Sequence, residues 1–129
     1  APRSQAMSSA KRATVPRPLK AGEYSIAFVT REAAKGWQDL LATARNAATD
    51  AWDFLTKTPT EEGRACYRLH GDQAVVRVDG KPLQRWQYKP TKGGRIWYAV
   101  VTAGKGAAGS VLIERVFTGH PNETVKQFR

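Results

Sequence analysis

Five polar or basic residues crowd the middle of the chain: Arg85, Gln87, Lys89, Lys92 and Arg95. Arg85, Gln87 and Lys89 alternate with Trp86 and Tyr88. Side chains alternate across a strand, so the first three share one face and the two aromatics share the other. Lys92 sits in a Gly/Pro turn at 90–94, and Arg95 opens the next apolar run. A guanidinium is permanently charged and forks onto two oxygens of a phosphate, while an ammonium acts as a point charge. Arg115 and Arg129 add cations further along, and His120 follows Gly119. Imidazole titrates near neutral pH, which suits it to proton transfer. The chemistry open to this set is recognition of a phosphate backbone on an exposed sheet face.

Other chemistries find less support. His70 and His120 lack metal-ligand spacing, and Cys66 is the only cysteine, so neither a cysteine metal cluster nor an intrachain disulfide is expected. A reduced, cytoplasmic setting follows from the same cysteine usage. Asp72 and Asp79 fall at turns and form no carboxylate pair. The glycine loop at 104–109 lacks Walker spacing and opens no helix, so no nucleotide or other cofactor is expected. No apolar run reaches the ~20 residues of a membrane span.

With 129 residues and 41% apolar composition the chain suits one domain with its own core. Its formal net charge of +10 points to a polyanionic partner. That charge is uneven. Residues 1–20 hold five basic and no acidic residues, together with three prolines, and read as a basic extension (1–21) ahead of a domain at 22–129. The segment 31–57 is neutral, with four charges of each sign, whereas 58–129 carries twelve basic and six acidic residues.

The elements that must position these groups read as follows. Residues 24–29 (YSIAFV) are a strand. Thr30 is the helix N-cap that follows, with Glu32 in the first turn. Gly36 separates a short helix from a longer one, whose apolar stripe runs through Leu40, Leu41, Ala44, Ala47, Ala48, Ala51, Trp52 and Leu55 to a stop at Pro59. Four strands are expected at 73–78, 84–89, 95–101 and 110–118, with Asp79-Gly80 turning the first pair. The order β–α–α–β–β–β–β implies an α+β domain, two helices packed on one face of a small, mostly antiparallel, curved sheet. Trp86 and Tyr88 should face the helices. Ile96, Tyr98 and Val100 should oppose Arg95, Trp97 and Ala99, with Tyr98 in the core. In the last strand Leu112, Glu114, Val116 and Thr118 should oppose Val111, Ile113, Arg115 and Phe117.

This order of elements, with three local patterns, resembles the RelE/ParE toxin superfamily over about residues 22–129. The patterns are the WQDLL helix at 37–41, the hairpin RWQYKPTKGGRIWYAVV at 85–101, and VFTGHPNET closing the last strand at 116–124. The resemblance implies a bacterial toxin that is an endoribonuclease. It would cleave mRNA at the ribosome without metal, by attack of the RNA's own 2′-hydroxyl, and a cognate antitoxin would neutralise it. It also implies roles. Arg95 corresponds to the arginine at the scissile phosphate, Arg85 and Gln87 lie near the family's paired lysines, and Lys89 can replace one of them. His120 corresponds to the family's acid–base position. Pro121 stands where a second cation is usual, so Arg115 or Arg129 would supply it, and the tail at 125–129 has no tyrosine. The ParE branch, which inhibits DNA gyrase without chemistry, is the alternative. A plain RNA- or ribosome-binding module is a third reading.

Overall fold

The computed structural model describes residue 13, residues 15–103 and residues 108–119. The chain opens with strand β1 (Ser25–Phe28), then helices α1 (Arg31–Thr43) and α2 (Arg45–Lys57). Six strands follow: β2 (Cys66–Arg68), β3 (Val75–Val78), β4 (Lys81–Gln84), β5 (Trp86–Tyr88), β6 (Arg95–Val101) and β7 (Ser110–Phe117). The main sheet has the order β1-β7-β6-β5-β2, and β1 alone pairs in parallel, with β7. β3 and β4 form a separate two-stranded sheet. The α+β class, the two helices and the mostly antiparallel sheet agree with the sequence. No described helix is long and apolar enough to cross a membrane.

Three details differ from the sequence reading. First, α1 runs straight through Gly36 and breaks instead at Ala44, whose φ of −152° and ψ of 65° end one helix and begin the next. Gly36 is buried where α1 crosses β7. A Cβ there would lie 2.9 Å from Val116 Cβ and collide with the Val116 carbonyl oxygen. Glycine is required for close approach, not as punctuation.

Second, the expected strand at 84–89 is two strands bending at Arg85. β4 pairs back onto β3 through the Asp79-Gly80 turn, whose residues both have positive φ (52° and 77°), as a two-residue type I′ turn requires. β5 joins the main sheet between β6 and the short edge strand β2. The backbone of Arg85 holds the bend, donating to the Ala74 carbonyl at 2.7 Å and accepting from the Leu69 amide at 3.0 Å. Both β2 and β4 were absent from the sequence reading.

Third, β7 carries a bulge. Trp97 is opposite Arg115 while Tyr98 is opposite Ile113, so Glu114 is an extra residue. A bulge places two residues against one and resets the alternation. Val111, Ile113 and Val116 therefore all face the core, while Phe117 packs edge-on against Trp97 on the other side. Val116 belongs with Val111 and Ile113, contrary to strict alternation. The cap of α1 secures the bulge: Thr30 Oγ1 accepts from the Ala33 amide at 2.9 Å and donates to the Glu114 carbonyl at 2.7 Å.

Between helices and sheet lies a core that includes Leu40, Leu55, Ile96, Tyr98, Val111 and Ile113, with Trp86 at its side. Tyr88 stacks on Phe54 of α2, ring centroids 4.8 Å apart. Trp86, Tyr88 and Tyr98 thus face the helices as alternation requires, which leaves the opposite face of β5 and β6 for other work. The described end of the basic extension is tied down. Arg17 forks onto Glu23 at 2.9 and 3.1 Å and lies 5.1 Å over the Trp52 ring.

Candidate functional site

The face turned away from the helices holds a cleft of about 320 Å³, lined by Tyr67, Leu69, Gln73, Gln87, Gly93, Arg95 and Trp97. Strand β2 supplies Tyr67, β5 supplies Gln87, and β6 supplies Arg95 and Trp97. Alternation puts Gln87, Arg95 and Trp97 on this side, and the antiparallel register sets Gln87 directly opposite both Tyr67 and Trp97.

Arg95 is pre-positioned. Its Nη1 donates to the carbonyls of Lys92 at 3.1 Å and Gly94 at 2.7 Å, both in the turn that precedes β6. The turn is fastened in its own right, since the Gly94 amide donates to Thr91 Oγ1 at 2.8 Å. Among the described residues nothing bonds Nε and Nη2 of Arg95. Those two donors form the side-on fork that suits a carboxylate or phosphate. A side chain held in place by its own turn loses little conformational entropy when the fork is filled.

Arg85 is placed differently. Its Nε and Nη2 both bond Glu114, at 2.8 Å each, and Nη1 donates to the Gln73 carbonyl at 3.1 Å. Its guanidinium also lies 4.9 Å over the Trp97 ring. Its fork is therefore closed by the bulge residue of β7, and its charge is matched. Gln87 is buried and bonded on both ends: Trp97 Nε1 donates to Oε1 at 2.7 Å, and Nε2 donates to Tyr67 Oη at 2.7 Å. Lys89 is half-buried, with its ammonium 5.2 Å over the Tyr67 ring. Lys92 is exposed on the turn and contributes its carbonyl to Arg95. Arg115 on β7 is opposite Trp97 on β6, with its guanidinium 5.9 Å over Phe117.

The structure thus brings Gln87 and Arg95 into one cleft, sets Lys89 over the ring of its Tyr67 wall, leaves Lys92 exposed on the turn beside its Gly93, and holds Arg85 over Trp97 with Arg115 opposite that residue on β7. His120 and Arg129 lie outside the described residues. The backbone reaching them is fixed as far as Gly119, whose φ is +83° and whose Cβ, if present, would lie 2.7 Å from the carbonyl carbon of Gly93. The last described residue is therefore packed on the turn that lines the cleft. Tyr67, Leu69, Gln73 and Glu114 were not singled out from sequence. Tyr67 sits in a three-residue strand, too short for alternation to show. Glu114 becomes a partner of Arg85 only through the bulge.

Comparison with known proteins finds no matching family model and no matching curated relative.

Proposed function

We propose that this protein is a RelE-like toxin of a toxin–antitoxin system, an endoribonuclease that cleaves mRNA at the bacterial ribosome and blocks translation. The observation that carries the reading is the open fork of Arg95, held by its own turn in a cleft whose Tyr67 wall lies under the Lys89 ammonium, on a chain of net charge +10. An RNA strand in the cleft would meet fixed positive charge at a phosphate. Attack by the adjacent 2′-hydroxyl forms the 2′-oxygen–phosphorus bond and expels the 5′-oxygen. Arg95 would stabilise the charge gathering on the phosphate oxygens, a role needing a group that never loses its proton. His120, one residue beyond the contact of Gly119 with Gly93, would move the proton. Arg85 supports the sheet beneath the cleft in this reading, and Gln87 orders its floor.

The test is primer extension on a reporter mRNA in a reconstituted translation reaction. Discrete cuts that require translating ribosomes are expected, with Arg95→Ala slowing cleavage by roughly 10²–10³, the usual effect of removing one donor from a developing anion. Unchanged cutting by a folded Arg95→Ala, His120→Ala double variant would remove the reading. A second reading, inhibition of DNA gyrase without chemistry, rests on the cleft lining itself: its described residues include no carboxylate and no imidazole. Intact mRNA together with double-strand breaks in DNA would favour it.

A further inference from the structure

The floor of the cleft contains a hydrogen-bond chain whose direction can be derived atom by atom. An indole Nε1 only donates. Trp97 Nε1 is 2.7 Å from a terminal atom of Gln87, so that atom must be the amide oxygen. The amide nitrogen of Gln87 then faces Tyr67 Oη at 2.7 Å. An amide NH2 also only donates, so the phenol oxygen accepts this bond. The phenol's own proton is not used in it, and among the described residues Tyr67 Oη makes no other hydrogen bond. Three residues on three neighbouring strands therefore hold Tyr67 as a donor with no acceptor among the described residues, in the lining of a cleft of about 320 Å³.

The cleft's charges identify the acceptor. The open fork of Arg95 lines it, and the ammonium of Lys89 lies over the Tyr67 ring. No described lining residue is a carboxylate. A donor among cations matches an anionic oxygen that carries several lone pairs. We infer that the Tyr67 hydroxyl is a ligand-binding group, donating to a phosphate oxygen of the strand bound in the cleft, with its direction imposed by Trp97 through Gln87. This deepens the proposed function and rests on it for the identity of the ligand. Gln87 is on this account a positioning residue, buried because its task is to orient Tyr67.

The experiment is binding of a fluorescent single-stranded RNA, methylated on every 2′-oxygen so that it cannot be cut, to the full chain at pH 8. Tyr67→Phe removes one oxygen and is expected to weaken binding about tenfold, in the range for a hydrogen bond to a charged group, ~1.4 kcal/mol. Gln87→Glu keeps the shape but turns the atom facing Tyr67 into an acceptor, so the phenol proton is drawn inward and lost to the ligand. Its effect contains that loss plus the repulsion of a new negative charge. In the Tyr67→Phe background only the repulsion remains, so the double variant is weakened by less than the product of the two single effects. Wild-type affinity in Tyr67→Phe, or single losses that multiply in the double variant, would overturn the inference. The outcomes separate the two proposals. RNA binding that depends on Tyr67 without any mRNA cleavage keeps the inference and removes the nuclease reading. Cleavage that ignores Tyr67 does the reverse. A wild-type chain that holds no RNA removes the inference and leaves the ribosome-dependent reading to the primer-extension assay. Should Tyr67→Phe lose its fold, Tyr67→Leu, which likewise carries no hydroxyl, takes its place: weaker binding is expected, and wild-type affinity would overturn the inference.

Discussion

Glu114, the extra residue in the bulge of β7, closes both side-on donors of Arg85, at 2.8 Å each, across the face opposite the helices. The two side chains are only 14% and 19% exposed, so water screens the pair weakly. Removing one partner leaves an unmatched charge in a poorly hydrated place. Arg85→Met is expected to cost roughly 3 kcal/mol, and the Arg85→Met, Glu114→Met double variant to recover most of it. Denaturant midpoints would check this. A single variant as stable as the wild type would show that water screens the pair as it would an exposed one.

Gly36→Ala sets two effects against each other. Alanine in mid-helix is worth up to about 1 kcal/mol over glycine. Against that, the new methyl would meet the backbone of Val116, which has no rotamer to move aside. Overpacking costs about 1–3 kcal/mol and more against backbone, so the variant should be less stable by about 2 kcal/mol. Thermal unfolding measures it, and a gain in melting temperature would mean α1 can lift off β7 freely.

Glu23 offers a pH test. The fork of Arg17, then the Lys20 amide, hold its carboxyl at about 2, down from 4.5. The folded value lies below the unfolded one, so this contribution to stability is complete above about pH 4.5 and disappears as pH falls to about 2. Carboxyl NMR titration of wild type should give a midpoint near the bottom of that window, and Arg17→Ala should return it upward. Identical curves would show that Arg17 does not tether the extension to the fold.

Cys66 should report on unfolding. It is buried, its thiol is pushed up by that burial, and Sγ lies 3.1 Å from Tyr98 Oη. Tyr98 donates to the Pro59 carbonyl at 2.6 Å, and the thiol lies within reach of both the Tyr98 oxygen and that carbonyl, the latter at 3.7 Å. A thiol reagent at pH 8 should leave the native chain untouched and label it fully in guanidinium. Rapid native labelling would mean that β2 opens on its own.

Much of this architecture can be read from the residues. Alternation in 84–101 correctly divides Trp86, Tyr88 and Tyr98 from Gln87, Arg95 and Trp97, because one buried face demands it. Thr30 is found as a cap because its hydroxyl has a local task. The break at Ala44 is not legible, since an alanine there carries no side-chain signal; tertiary packing decides it. Glu114 defeats alternation because a bulge adds a residue without a mark in composition. The difference between Arg85 and Arg95 is equally hidden. Both are arginines on the same face, and only a partner 29 positions away closes one fork.

The parallel pairing of β1 with β7 also dictates an order of events during synthesis. Ser25 is opposite Ser110 and Phe28 is opposite Ile113, and the main sheet offers β1 no other neighbour. Strand β1 must therefore wait for β7, the last of the described strands to be made. At about 5–20 residues per second that delay is roughly 4–17 s, during which α1 has no β7 to pack against. Arg95 can be correct in its own hairpin earlier, yet the strand that carries Gly119 to its turn is made after it. A nascent chain therefore keeps the core-facing side of α1, Ala33 and Leu40, uncovered until β7 has followed it out.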